Sequence, residues 1–506
     1  MNDTSSESKI ISKRLKVGLE IHVELQTRSK MFTRTPNVAH PDFENSAPNT
    51  LVDPVVAALP GTLPVMNRAA VEMSMLVGLA LECEIARFSK WDRKNYYYPD
   101  LPKGYQISQY DLPLCHDGQF MIRDSSGEQR RIGIVRAHLE EDTGKLGHEL
   151  PGGGRFQGSL VDLNRAGTPL LEIVTHPDFD DAQDVVTFGQ DLRQLCRFLG
   201  VTQGVMQRGH MRFEPNINLE MDLEDGRTIC TPIVEVKNLN SFRAVRGAIE
   251  HEYDRQEIAW REDGRVMGPG AKATRGWDDE KLVTVLQREK EDAHDYRYFP
   301  DPDLVPVVVD DAWLETVRAR LTELPAAKRA RYVETLGLRA ADADALLEEP
   351  DTATYFEQVA MESASAGDCS AVSKLILNQV AKRSNEAGLP PSRLGTSPEQ
   401  LAGVLELRRL NELGAQSIDA LLALLETSEG TAREVAEQGG LLVVLDDSQL
   451  EAWCASAIEA NEQAADDVRG GKVAALGRLT GHVMKSARGS ADAKAVQAKL
   501  LEMLQG

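Results

Sequence analysis

Glu20, His22 and Glu24 occupy alternate positions in LKVGLEIHVELQT (residues 15–27), interleaved with Leu19, Ile21, Val23 and Leu25. On an extended chain, alternate side chains share a face at about 6.6–7 Å spacing. Such a face can offer ligands to a metal ion or groups for proton transfer, once other strands supply partners. Three further segments have the same character. In IGIVRAHLEEDTGK (132–145), Arg136, His138 and Glu140 share a face. In MRFEPNINLEMDL (211–223), Arg212, Glu214, Asn216, Asn218 and Glu220 lie opposite Phe213, Pro215, Ile217, Leu219 and Met221. In TPLLEIVTHPD (168–178), Glu172 interrupts an apolar run, so a strand there is covered on both faces and its acid needs a counter-charge or a cation. Acids and histidine converging from four strands would build an oxygen-rich divalent-cation site, suited to Mg²⁺, with the imidazole shifting preference towards Mn²⁺. Taken one at a time, the same strands better fit half-buried strands with solvated polar sides. Glu172 is the exception, having no evident solvent side.

The elements that must position these residues follow from periodicity. Residues 15 to 303 are rich in short alternating segments with aromatic clusters and Gly/Pro punctuation, which predicts a large β-rich domain. From about 304 the pattern turns to Ala/Leu/Glu/Arg-rich segments with helical spacing, such as AWLETVRARLTEL, broken at LPPSRLGTSPEQ (389–400). A helical domain over 304–445 and a small helical tail over 446–506 are expected. Residues 1–14 are polar and Ser-rich, and read as a flexible tail without the apolar core of a signal peptide. PGGGRFQG (151–158) is expected as a loop between strands.

With 506 residues, two to four domains are expected. No apolar run reaches the length of a membrane helix. Cys83, Cys115, Cys196, Cys230, Cys369 and Cys454 are scattered without a C-x-x-C pair, which fits reduced thiols in a cytoplasmic protein. The formal charge of −22 excludes indiscriminate wrapping of nucleic acid, so RNA contact must be local. The chain lacks a P-loop, a G-x-S-x-G elbow and an H-E-x-x-H helix. A nucleotide would therefore be held by metal ions and basic side chains.

VGLEIHVELQT, NYYYPDLPKGYQISQYDLPL, HLEEDTGK, SLVDLNRAGTPLLEIVTHPDF, VEVKNLNSF and AHDYRYFPDPDL occur in this order between residues 17 and 304. Together they resemble the GatB family, the B subunits of glutamyl/aspartyl-tRNA amidotransferases, and GKVAALGRLTGHVMKSARG resembles its YqeY-like C-terminal domain. The resemblance implies an α+β protein: a cradle built on an antiparallel sheet similar to the glutamine synthetase catalytic domain, then an all-α domain and an α-helical tail. It implies a heterotrimer in which an amidase (GatA) and a small protein (GatC) are the other two members. Its substrate would be Glu-tRNA(Gln), Asp-tRNA(Asn) or both. ATP would phosphorylate the side-chain carboxylate, and ammonia from the amidase would then displace the phosphate. A non-catalytic tRNA-binding scaffold of the same complex is the alternative, and a ligase making its own ammonia is disfavoured because no amidase signature is present.

Carried over by motif, His22, Glu140 and Glu172 match the family's metal ligands. Glu20 is a further ligand candidate, and Glu214 stands where the family has Asp; with Lys237 they form the expected catalytic set. Lys103, Arg288, Lys290 and Arg297 are candidates for phosphate or the acceptor end. Tyr98, with Tyr96, Tyr97 and Tyr105, fits either stacking on the terminal adenine or packing. From Arg469 to Lys499 there are seven Lys/Arg and one acid. A helix over 472–488 would gather Val473, Leu476, Thr480, Val483, Met484 and Ala487 on one side and Arg478, His482 and Lys485 on the other. Lys472, Arg478, Lys485 and Arg488 are the expected tRNA contacts.

Overall fold

The computed structural model describes residues 9–149, 154–289, 296–363, 369–443, 447–470, 472–487, 491 and 493–505. Its contacts divide the chain into two units, 1–324 and 325–506.

The first unit is organised by a ten-stranded sheet: β1 (Ile10–Glu24), β2 (Glu84–Ile85), β3 (Cys115–Arg123), β4 (Gln129–Glu141), β5 (Pro169–Thr175), β6 (Met211–Leu223), β7 (Thr228–Cys230), β8 (Val234–Lys237), β9 (Ala273–Asp278) and β10 (Val283–Glu289). In space the order is β10-β9-β8-β6-β1-β5-β4-β3-β2, with β7 added to β6. The expected antiparallel sheet is in fact mixed, since β8 and β9 run parallel. A parallel pair needs a crossover, and a helix, Phe242–Asp263, provides it, capped at Ser241 and ended by Gly264 in the left-handed conformation. The first strand begins at Ile10, earlier than the expected tail boundary. Ser12 and Arg14 tie it to the neighbouring strand: Ser12 donates to Asp222 at 2.6 Å, and Arg14 pairs with Glu220 and Asp222 at 2.7 and 2.8 Å. Cross-strand bonds of this kind fix an otherwise polar strand end.

The alternation read in β1 and β6 is the sheet's own. Val17, Leu19, Ile21 and Val23 are buried on one face, and in β6 every second residue from Met211 to Leu223 is buried. Helix α1 (Ala182–Phe198) is among the elements that cover this face; Asp181 caps it by accepting from the Gln183 and Asp184 N–H groups. Val185, Phe188, Leu192 and Leu195 form its buried stripe. The crossover helix, α2 (Phe242–Asp263), adds Val245 and Ile249 to the same core, which also holds Phe179, Phe188 and Phe213. The opposite face carries the acids and histidines.

A separate three-stranded sheet, Phe299–Pro300, Asp92–Asn95 and Tyr105–Ser108, also belongs to this unit. The strand Arg155–Asp162 pairs with Lys145–Glu149, so part of the Gly-rich stretch expected as a loop is strand. Residues 304–324, expected to open the helical domain, belong to the first unit. Val307–Val308 pairs with Phe88–Ser89, and the Trp313 indole of Asp311–Arg318 donates to Glu72 at 2.9 Å.

The second unit is helical. The break at 389–400 contains a short 3-10 turn, Pro391–Arg393, and a capping box in which Ser397 and Gln400 satisfy each other's backbone N–H groups at the start of Pro398–Arg409. Helices Asp447–Ala460, Glu462–Arg469, Leu476–Ser486 and Ala493–Gln505 share a core including Cys454, Ala465, Val468, Leu479, Val483, Val496 and Leu500.

Candidate active site

Register builds the site. On the polar face one row crosses four strands: His138 on β4, Glu172 on β5, His22 on β1 and Arg212 on β6. The next row sets Glu20 directly opposite Glu214. Because side chains alternate strictly, a one-residue slip at β1 would turn both His22 and Glu20 into the core.

His22 Nε2 lies 3.4 Å from Glu172 Oε2, and His138 Nε2 lies 3.4 Å from Glu140 Oε1 and 3.8 Å from Glu172. One ligand atom each from His22, Glu140 and Glu172 falls within 4.8 Å of the others. Glu140 is held from the small sheet: Ser108 donates to it at 2.6 Å and Gln106 at 2.9 Å, while the Lys94 ammonium stands 3.7 Å away. Glu20, Glu214 and Glu235 form a second group of the same compactness. Asn216 donates to Glu20 at 3.1 Å. Lys237 reaches Glu214 at 2.5 Å and Glu235 at 2.8 Å. Glu214 therefore spans from Lys237 to His22, whose Nδ1 is 3.9 Å from it.

Burial opposes ionisation of Glu172, but His138 and His22 outweigh it and hold this carboxyl well below the usual range. Glu140 is also lowered, against burial, by Lys94 and His138, and Glu214 by Lys237 and His22. Lys94, despite its burial, is held firmly as an ammonium by Glu140. Burial lowers the His22 pKa, and Glu172 and Glu214 more than restore it.

The carboxylates of Glu20, Glu140, Glu172, Glu214 and Glu235 gathered on one sheet face fit divalent-cation binding, because like charges across adjacent strands are otherwise unfavourable. The donor set is oxygen-dominated with one imidazole, as Mg²⁺ or Mn²⁺ would require. His22 Nδ1 is buried without a hydrogen-bond partner. An unsatisfied buried ring nitrogen at such a point fits a metal-ligating role.

The basic candidates are dispersed. Lys103 donates to Glu141 rather than to the cluster. Arg297 is exposed, and its carbonyl accepts from Asn95 at 2.8 Å. The Arg288 side chain and Lys290 lie outside the described residues. Tyr98 is 58% and Tyr97 88% exposed. Tyr96 is part-buried and donates to Gln106 at 3.1 Å, and burial pushes the Tyr298 phenol up to about 12. In the second unit, Arg478 and Lys485 are exposed on Leu476–Ser486. Two expectations there need correction: the helix starts at Leu476 rather than at 472, and His482 contacts Asn461 at 3.2 Å instead of joining the basic side. Lys472 precedes the helix, is exposed, and pairs with Asp467 at 3.0 Å. Arg488 lies outside the described residues.

Sequence reasoning missed Glu235 and Lys94. Glu235 is two residues before Lys237 and so shares its strand face, a period-2 signal that was present. Lys94 had no such signal. Its relation to Glu140 arises only where the small sheet meets β4.

A family model described as the GatB/GatE catalytic domain matches residues 15–315, and one described as GatB domain matches 354–504. The B subunit of the aspartyl/glutamyl-tRNA(Asn/Gln) amidotransferase of Rhodopirellula baltica is 41% identical over 96% of this chain and 96% of its own. The corresponding proteins of Moorella thermoacetica and Thermobifida fusca are 42% and 43% identical, each over 96% of this chain and over 99% and 93% of their own lengths. The two family matches and the near-full-length similarity lead to one conclusion: the chain belongs to the GatB family, the B subunits of aspartyl/glutamyl-tRNA(Asn/Gln) amidotransferases.

Proposed function

We propose that this chain activates the side-chain carboxylate of Glu-tRNA(Gln), Asp-tRNA(Asn) or both with ATP and then amidates it. The carboxylate oxygen attacks the γ-phosphorus and ADP leaves. Ammonia then attacks the acyl carbon, phosphate leaves, and the nitrogen loses a proton. The single observation that carries this reading is the pair of adjoining acid groups, His22/Glu140/Glu172 and Glu20/Glu214/Glu235, on one sheet face.

Bringing a carboxylate to a triphosphate sets anion against anion, so the reaction rests on charge neutralisation and alignment. Mg²⁺, or Mn²⁺, held by these residues would supply that neutralisation. Lys94 and Lys237 supply fixed cations beside each group, and Gln106 and Ser108 orient Glu140. The exposed Tyr97 and Tyr98 are suited to stack on the acceptor end, with Lys103, Arg288, Lys290 and Arg297 as further phosphate contacts. Arg478 and Lys485, with Lys472 and Arg488, are proposed to meet the tRNA backbone.

A layout like that of glutamine synthetase belongs to the same proposal. So does assembly into a heterotrimer with a small protein (GatC) and an amidase (GatA), the latter supplying ammonia. Cytoplasmic translation is the proposed setting; no described helix is long and apolar enough to cross a membrane. The scaffold alternative rests on Glu214 replacing the family's Asp and on a partial T-R-x-x-R motif, in which Arg288 is present but Val285 replaces the first Arg. The reach of Glu214 to both His22 and Lys237 favours the catalytic reading.

The test is amidation of both misacylated tRNAs by the heterotrimer. His22→Ala and Glu140→Gln should each reduce ATP-dependent amidation by more than roughly a hundredfold while glutamine hydrolysis persists. Full amidation in both variants would overturn the assignment.

A further inference from the structure

A cavity of about 170 Å³ lies beside β8 and β9, on the face opposite the acid groups. Val234 lines it, whereas the next residue, Glu235, points to the catalytic side. Its lining residues include three arginines, Arg255, Arg265 and Arg275, and one acid, Asp263. Pro232, Val234, Trp260 and Leu286 give it an apolar lining.

Two of the arginines are fixed from behind. Fully buried Glu252, which does not line the cavity, accepts two hydrogen bonds of 2.8 Å from Arg255 and stands 3.4 Å from Arg275. Arg275 also donates to the Thr284 hydroxyl and carbonyl, both at 2.8 Å. Asp263 accepts from the backbone N–H of Arg265 at 2.8 Å. Arg255 and Arg275 thus share the single carboxylate of Glu252. Burial and the neighbouring Arg255 both depress the Arg275 pKa, as expected where two cations stand close together.

Fixed guanidinium groups over an apolar floor recognise a carboxylate carried on a short hydrocarbon stem. The volume suits such an acid and is too small for a nucleotide. We infer that this cavity is a binding site for a small aliphatic carboxylate, separate from the catalytic face.

Calorimetric titration of the full chain with glutarate, inorganic phosphate and neutral glutaramide tests this. Glutarate should bind saturably, and phosphate and glutaramide roughly tenfold more weakly or worse. Arg265 is an exposed lining residue, so Arg265→Gln should fold normally and weaken glutarate about tenfold, with Arg265→Lys recovering part of the loss. Ala271→Asp, at the wall, should abolish binding, and His22→Ala should leave it unchanged. The inference is overturned if glutarate fails to bind in the millimolar range, if phosphate binds as well, or if Arg265→Gln has no effect. It is overturned equally if His22→Ala removes binding, because the anion would then sit at the catalytic face.

Discussion

Lys94 shows how one side chain changes the reading of a site. Its ammonium, 3.7 Å from Glu140, is a fixed positive charge beside the first acid group. Lys94→Met should lower the amidation kcat by roughly a hundredfold or more, with a smaller change in KM for tRNA, in steady-state assays of the heterotrimer. An unchanged kcat would remove it from the proposed machinery. Lys30 offers a different residue-scale test, of stability. It is fully buried, donates to the Ala166 carbonyl at 2.6 Å, and burial lowers its pKa to about 8. An unfolded lysine holds its proton to about 10.4. Between these values the unfolded chain binds the extra proton, so this group makes stability rise with pH from about 8 to 10. The full effect is of the order of 3 kcal/mol. Lys30→Met should abolish that rise, seen as the pH dependence of the difference between the two urea midpoints.

At the scale of elements, the helices behind the sheet hold the register that aligns the site. Gly189, in the middle of α1, faces Phe213 of β6 and Phe242 of α2; an added Cβ would stand 2.6 Å from the Phe242 ring and 3.2 Å from Phe213. Alanine gains about 1 kcal/mol in helix propensity over glycine, but overpacking costs about 1–3 kcal/mol. The contact with Phe242, far inside ordinary van der Waals distance, lets the second effect win. Gly189→Ala should therefore destabilise the chain by about 1–2 kcal/mol in urea unfolding. Strand faces in β1 and β6 were legible because both obey a strict period of two with one face buried. The parallel pairing of β8 and β9 was not legible, since a strand as short as Val234–Lys237 carries no mark of its partner's direction.

For the whole molecule, the charge of −22 leaves tRNA attraction to local groups. Arg478 and Lys485 are both exposed on one helix, about two turns apart. If both meet phosphates, Arg478→Ala and Lys485→Ala should each weaken tRNA binding and reduce its log–log salt slope by about 0.7–0.9. Filter binding across a salt series measures this, and an unchanged slope in both would place the RNA elsewhere. The basic ridge was only partly legible. Helical periodicity placed Arg478 and Lys485 outward, but could not foresee that Lys472 would pair with Asp467 or that His482 would turn to Asn461.

By itself, the sequence determined which faces of β1 and β6 are buried, the change from β-rich to helical texture, and the family, because these reside in local periodicity and ordered motifs. Tertiary structure decided the division at Leu324, the entry of Glu235 and Lys94 into the site, and the pairing of Lys103 with Glu141. The reason is physical. Periodicity states which way a side chain points within its own strand, whereas a site depends on which strands become neighbours and in what register, which long-range pairing alone sets.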